Sequence, residues 1–479
     1  MASPALAPDA PDVPRQSRAR FDAPPWALAL AVAVPLALAY LIVAPPAADL
    51  AAATYRSDLF ARAGFALRDS GWYAVHGHYL PGYSLLSPAL GAWLGVRVLL
   101  ALSAVVASVL FGLIAQRVWR AGSMSSARVA AVWFALGLCV GMLSGRVPFD
   151  LGLTIGLGAL LAFIDGHIKT ALALAVLTSA ASPVAGSFLA LAGVADALAA
   201  SRPGGDGDAR RRIPREPGGG LALAACALAP IAVLALAFPE GGYEPFAPSA
   251  FWPALVAVLL IALLLPRGSL PERGRRVVRI GAALYAVALI GSFLLHTPVG
   301  GNAARLGALF AGPLLAGVLW EHHRLALGLL APLLLYWQLV TPIRDLSTIA
   351  GDPSVHASYY APLRAELHML SGAKRVIVEV PLTGAHWEAA YLAGHDGVAL
   401  ARGWERQLDT SYAGLFYKPP LTASGYLAWL RENRVAYVAL PDARLDYAGR
   451  EEGVLIARGL PYLREVWRSP HWRLYAVAR

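Results

Sequence analysis

Two aspartates, Asp49 and Asp58, stand in the stretch at 44–90, APPAADLAAATYRSDLFARAGFALRDSGWYAVHGHYLPGYSLLSPAL, between the first two long apolar runs of the chain. A carboxylate a few residues beyond an apolar run is placed to take a proton from a hydroxyl group at a membrane surface. Asp49 is therefore the first candidate for a general base. Asp58 is the second, as its partner or as a ligand of a divalent cation such as Mg or Mn. His76 and His78 flank a glycine, and Tyr83 follows. These three are candidates for metal or acceptor contacts, although two histidines do not complete a metal site. Each has a plainer structural reading. Asp49 suits the N-cap of a helix starting at Leu50, and Asp58 suits an i,i+4 pair with Arg62. Asp69 reads as turn chemistry, and Trp72, Tyr73, Tyr79 and Tyr83 as interface anchors.

Anion-binding candidates lie farther along. Arg146 and Asp150 bracket the short turn Arg-Val-Pro-Phe-Asp between apolar runs. They either meet a lipid phosphate or pair with each other. The segment from His296 to Arg305, HTPVGGNAAR, carries two glycines that let the backbone approach a ligand. Arg305 then opens an apolar run, where a helix N-terminus favours anions. Arg305 is the leading phosphate contact, with Arg146 and Asn302 beside it. The plainer reading has Arg305 snorkelling to lipid headgroups.

These groups need a scaffold, and composition identifies its class. The 479 residues are 57% hydrophobic and 15% charged, with a mean hydropathy of +0.55, more apolar surface than one globular core needs. A polytopic α-helical membrane protein is expected. The formal charge of +10 does not point to nucleic acid, because the arginines cluster in short connections between apolar runs, the positive-inside pattern. Cys139 and Cys226 sit within apolar runs and imply neither a disulfide framework nor a zinc site. The Pro- and Ala-rich tail at 1–25 should be disordered and cytoplasmic. Spans are expected at 26–44, 94–118, 128–145, 149–165, 168–183, 184–200, 220–238, 251–265, 279–296, 305–320 and 325–342, about eleven in all. Splitting 168–200 at Ser182-Pro183 keeps Arg210, Arg211 and Arg212 on the cytoplasmic side. The transmembrane part is thus 26–342, with a first outer loop at 45–92.

From about 343 the composition becomes mixed. Alternating runs at 375–380, 434–440 and 472–477 read as strands, and 359–370, 385–393, 422–433 and 449–458 as helices. A C-terminal extracytoplasmic α/β domain at 343–479 follows. It carries no Walker loop, GxSxG, HExxH or GxGxxG motif. Trp387, Glu388, Trp404 and Glu405 group aromatic and charged side chains that would suit a saccharide groove, or else a domain edge docked on the membrane part.

The arrangement resembles the GT-C superfamily of integral-membrane glycosyltransferases. The likeness is carried by the layout of spans and by the first loop, in which Asp49 follows span one, Ala61-Arg62 lie in a juxtamembrane helix at 55–67, and Ser70-Gly71-Trp72 form a turn. His76-Gly-His-Tyr-Leu-Pro-Gly-Tyr83 then leads into the second span. Many members place two adjacent acids after span one, whereas here Leu50 follows Asp49. The resemblance implies a polyprenyl-phosphate-linked sugar as donor, a glycan, lipid or protein as acceptor, and residence in a bacterial plasma membrane. A secondary transporter would show paired, broken spans in two halves, and no such repeat is visible. A non-catalytic envelope scaffold would keep the fold and tolerate loss of Asp49.

Overall fold

The computed structural model describes residues 23–119, 123–200, 218–239, 242–372, 374–418 and 420–478. The tail expected to be disordered lies almost wholly outside them, as do Arg210, Arg211 and Arg212. The chain runs through α1 (Pro25–Val43), the polar α2 (Ala48–Ala63), a hairpin of β1 (Arg68–Asp69) and β2 (His78–Tyr79), and the short α3 (Ser87–Leu94). Then come α4 (Val96–Val118), α5 (Met124–Gly141), α6 (Val147–Ile164), α7 (Ile168–Ala181), α8 (Pro183–Ala200), α9 (Gly218–Ala237), α10 (Pro248–Leu264), α11 (Glu272–Leu294), α12 (Arg305–Leu319) and α13 (Arg324–Ile349). Among the described residues nine helices have the length and hydropathy to cross a membrane, while α7 and α10 are shorter apolar helices. The protein is a polytopic helical membrane protein.

The first span packs mainly through small residues. On α1 the buried positions are Ala29, Ala33, Ala37 and Tyr40, whereas Leu38 and Ile42 are exposed. Lipid tails are as apolar as leucine, so close approach of small residues is what holds such helices together. The expected break within 168–200 is present. Ser182 is extended, with φ −156° and ψ 113°, and Pro183 opens α8, because proline pushes its predecessor out of the helical region and lacks an N–H. At the end of the bundle away from the C-terminal domain, Arg117 grips Asp165 with two bonds of 2.6 and 2.7 Å, and Arg273 holds Asp196 at 3.0 Å. The last long helix continues to Ile349, past the expected boundary at 342.

The C-terminal domain contains α14 (Ala357–Ser371), β3 (Val376–Glu379), α15 (Glu388–Leu392), β4 (Val398–Leu400), α16 (Ala413–Phe416), α17 (Ala423–Glu432), β5 (Tyr437–Pro441), α18 (Arg450–Ala457), β6 (Leu463–Arg468) and β7 (Trp472–Val477). Its sheet has the order β4-β3-β5-β7-β6. The first three strands are parallel, and β7 pairs antiparallel with β5 and β6. Alternation in the sequence marks β3, β5 and β7. It misses β4, three residues long, and β6, an edge strand whose side chains are exposed or half-buried. Inside the domain, buried Arg402 bonds Glu379 at 2.8 Å and also Glu452, and Tyr426 donates to Glu452 at 2.7 Å. Burial, reinforced by the Glu452 charge, holds the Glu379 carboxyl well above its ordinary range.

A raised carboxyl favours the folded state while it is protonated and loses that contribution as pH rises through its folded value. Glu379→Gln should therefore leave the domain as resistant to thermal unfolding as the wild type. Arg402→Ala, which strands Glu452 as an unpaired buried charge, should cost about 3–5 kcal/mol. Thermal unfolding of the full chain in detergent, followed by proteolysis of the C-terminal domain, measures both. Equal destabilisation by the two substitutions contradicts this account.

Candidate functional site

Alanine favours the helical state throughout α2. Asp49 in its first turn and Arg62 in its last suit the two ends of the dipole, and the helix stops at Gly64, φ 69°. The N-cap is Ala47 and not Asp49, so the capping reading of Asp49 is corrected by one turn geometry. Its side chain instead meets Arg146, Nε to Oδ2 at 3.4 Å. The contact depends on Gly145, φ 74°, where an added Cβ would lie 2.7 Å from the Leu50 nitrogen. Only glycine lets the α5–α6 turn press this closely on the start of α2.

Asp49 and Arg56 are seven residues apart, nearly two helical turns, and share one face of α2. Asp58 is nine residues from Asp49, half a turn out of phase and about 13 Å along the axis. The two acids expected to act together are therefore separated. Asp58 is on the exposed face, where burial raises its carboxyl against the pull of His395 and Arg62. The expected Asp58–Arg62 side-chain pair also gives way: Arg62 donates to the carbonyls of Asp58 and Gly394.

Groups from distant parts of the sequence gather around Asp49. Arg146 also faces Asp345 at the end of α13, 3.6 Å away, and Ser144 donates to that carboxylate at 2.8 Å. Arg305 opens α12 with its guanidinium 5.3 Å from the centre of the Phe149 ring. The charges of Arg146, Asp49, Asp150 and Glu244 act on it, yet no described residue forms a hydrogen bond or ion pair with its guanidinium. Its position is fixed from behind: the Tyr285 hydroxyl donates to the Ala303 carbonyl at 2.6 Å and accepts from the Gly307 N–H at 3.0 Å. Asn302 lies just before it in the short 3-10 turn Gly300–Ala304. Immediately beyond Arg305 begins a cavity of about 290 Å³ lined by Gly152, Gly156, Phe188, Tyr285, Gly307 and Phe310 among other apolar residues. Sequence reasoning named Asp49, Arg146 and Arg305 and missed Glu244 and Asp345. The available signal was that both are acids in short connections or helix ends on the same side of the alternation.

Arg56 joins this site to the C-terminal domain. Its guanidinium forms two bonds of 2.9 and 2.6 Å with Glu405, both side chains being buried, 2% and 5% exposed. It stands 3.7 Å from the centre of the Tyr83 ring and 5.2 Å from that of Trp72. Burial alone would lower the guanidinium, but Glu405 reverses this and holds it charged. Burial likewise pushes the Tyr83 phenol above its ordinary value. Loop backbone then adds to the sheet edge, with Ala74 N–H donating to Leu400 at 2.8 Å and Leu400 N–H to Gly71 at 2.8 Å.

The remaining candidates take structural places. His76 stacks on Tyr412 at 5.5 Å. His78 is buried with Nδ1 3.2 Å from the Trp72 carbonyl, and burial, aided by Arg56, lowers its imidazole to about 4. Among the described residues no group of three or more His, Cys, Asp or Glu is placed to hold a metal ion, and the arginines around Asp49 oppose a divalent cation there. The saccharide-groove expectation is corrected for Trp387, Glu388 and Glu405. Trp387 is buried and stacks on Tyr391 at 5.3 Å. Both Glu388 oxygens are held by Thr383, from its N–H at 2.9 Å and its hydroxyl at 3.0 Å. Glu405 is committed to Arg56. Trp404 stacks on His386 at 4.8 Å.

The chain matches no protein-family model and no curated protein sequence.

Removing one partner of the buried ion pair leaves the other charged and uncompensated. Arg56→Ala should release the C-terminal domain from the loop at a cost of about 3–5 kcal/mol, seen as new proteolytic cleavage within 64–83 in the full-length protein. The double variant Arg56→Met, Glu405→Leu should restore most of the protection. Cleavage of the double variant as fast as that of Arg56→Ala contradicts the pair's role.

Proposed function

We propose that the protein is a membrane glycosyltransferase of the GT-C type, moving a sugar from a polyprenyl-phosphate donor to an acceptor in an envelope glycan or glycolipid. The observation that carries this reading is Arg305. Among the described residues its guanidinium has no hydrogen-bond or ion-pair partner, only the Phe149 ring. It directly precedes Leu306 and Gly307 in the lining of an apolar cavity and lies in the field of Asp49. A lipid-linked phosphate supplies what is missing: a charged head for the guanidinium and a hydrocarbon chain for the cavity. An unpaired charge at this depth is costly to keep unless it has a ligand.

In this reading α7 and α10 complete eleven spans. The arginine-rich end is cytoplasmic by the positive-inside rule, and the site and C-terminal domain face outward from a bacterial plasma membrane. Arg305 and Arg146 hold the donor phosphate, and Asp49 receives the acceptor hydroxyl proton as that oxygen bonds to the anomeric carbon. The bond from that carbon to phosphate breaks, and the departing phosphate keeps the electron pair beside the arginines. Arg146 steadies the Asp49 carboxylate at 3.4 Å, and Tyr83 packs its ring against Arg56.

Transfer from radiolabelled polyprenyl-phosphate sugars in membranes tests the reading. Asp49→Asn should lose about 10²–10⁴-fold in rate and Arg305→Ala about 10²–10³-fold. Asp58→Asn, on the opposite helix face, should stay near wild type. Wild-type protein that transfers nothing from any donor, together with Asp49→Asn that still complements a deletion strain, would replace the enzyme with a scaffold.

A further inference from the structure

Glu244 lies in the connection between α9 and α10 and was not among the residues expected to act. Its backbone places it firmly. The N–H donates to the Thr297 carbonyl at 3.0 Å, and the Glu244 carbonyl lies where a Cβ on Gly300 would fall. Gly300 has φ 43°, so two connections pack here with no room for a side chain between them. Tyr243 and His296 seal the contact with ring centres 4.6 Å apart. The Glu244 carboxyl is thereby set within electrostatic reach of Arg305. Arg305 from α12, Asp49 from α2, and Arg406 and Glu405 from the C-terminal domain all act on it, and Tyr447 faces it from the same domain. None of these, nor any other described residue, forms a hydrogen bond or ion pair with the carboxyl. An acid and a guanidinium thus act on each other, each without a hydrogen-bond or ion-pair partner among the described residues.

We propose that Glu244 and Arg305 form a proton-linked phosphate site, in which the Glu244 carboxyl takes up a proton as a phosphate group docks on the Arg305 guanidinium. The proposal rests on the reading of Arg305 as the donor-phosphate contact. Burial already pushes the free Glu244 carboxyl up to about 7, against the pull of Arg305. A docked anion adds negative charge nearby and cancels part of the guanidinium's pull, and both raise the carboxyl further. Reciprocity then requires that protonation strengthen anion binding by the same factor. The sign follows. The bound-state value lies above the free one, so affinity is greatest below about 7 and falls about tenfold per pH unit above it until the bound carboxyl itself ionises. Arg146, Asp49 and Asp150, the other charges acting on Arg305, set the absolute affinity.

The probe is farnesyl methyl phosphate, a phosphodiester whose single charge does not titrate between neutral and alkaline pH. Its binding to the full-length protein in detergent is measured from pH 5.5 to 8.5. Wild-type affinity should fall at least fivefold from pH 6.5 to 8.5, and Glu244→Gln should bind with the wild type's low-pH affinity throughout. Arg305→Ala should lose binding at every pH. Competition by dimethyl phosphate with the same pH slope supports a free anion as ligand, and its failure to compete supports the lipid-linked phosphate. Binding that depends on Arg305 but is equally flat in wild type and Glu244→Gln overturns the role of Glu244 alone. Binding indifferent to Arg305→Ala overturns the phosphate site and with it the donor reading.

Discussion

The buried bidentate contact between Arg56 and Glu405 joins the membrane part and the C-terminal domain into one body at the point where the charged site lies. Removing two charges from water is expensive, and the energy is recovered only with good geometry and additional support. Here the support consists of Tyr83 against the guanidinium, Trp72 beside it and the Tyr73 hydroxyl on the Glu405 backbone carbonyl. The pair contributes alignment more than net stability. Because Arg56 and Asp49 share a face of α2, fixing Arg56 also fixes how Asp49 is presented.

Around Asp49 the charges follow a different logic. At the far end of the bundle, Arg117 and Arg273 are closely matched with Asp165 and Asp196. Around Asp49 itself the contacts are long, 3.4 and 3.6 Å for Arg146, and among the described residues the charged groups of Arg305 and Glu244 have no hydrogen-bond or ion-pair partner. One chain therefore makes tight ion pairs within the bundle and at the join to the C-terminal domain, and leaves the charges around Asp49 loosely matched. A bound phosphate, as proposed, would complete this loose matching.

Backbone clearance makes that enclosure possible. Without a side chain at Gly145, the α5–α6 turn reaches the start of α2. Without one at Gly300, the connection bearing Glu244 reaches the turn before Arg305. Tyr285 then bridges the backbone on either side of Arg305, so the guanidinium is positioned by groups that leave its donors open.

The sequence by itself determined the class of protein, because a bilayer imposes run length, hydropathy and loop charge on any chain that crosses it. It also determined the break before Pro183, the mixed character of the last third and the strands β3, β5 and β7, all of which follow from local rules of period and proline geometry. Helical periodicity even contained the separation of Asp58 from Asp49, since nine residues reverse the face. What only the tertiary structure decided was which side chains meet. Asp49, Arg146, Glu244, Arg305 and Asp345 come from five separate connections or helix ends, and no local pattern records that they converge. Glu388 and Glu405 look like parts of a polar groove in one dimension, yet turn inward, Glu388 onto the nearby Thr383 and Glu405 onto Arg56 from the far end of the chain. Long-range packing chooses the partner of each charge, and with it which charges are left for a ligand.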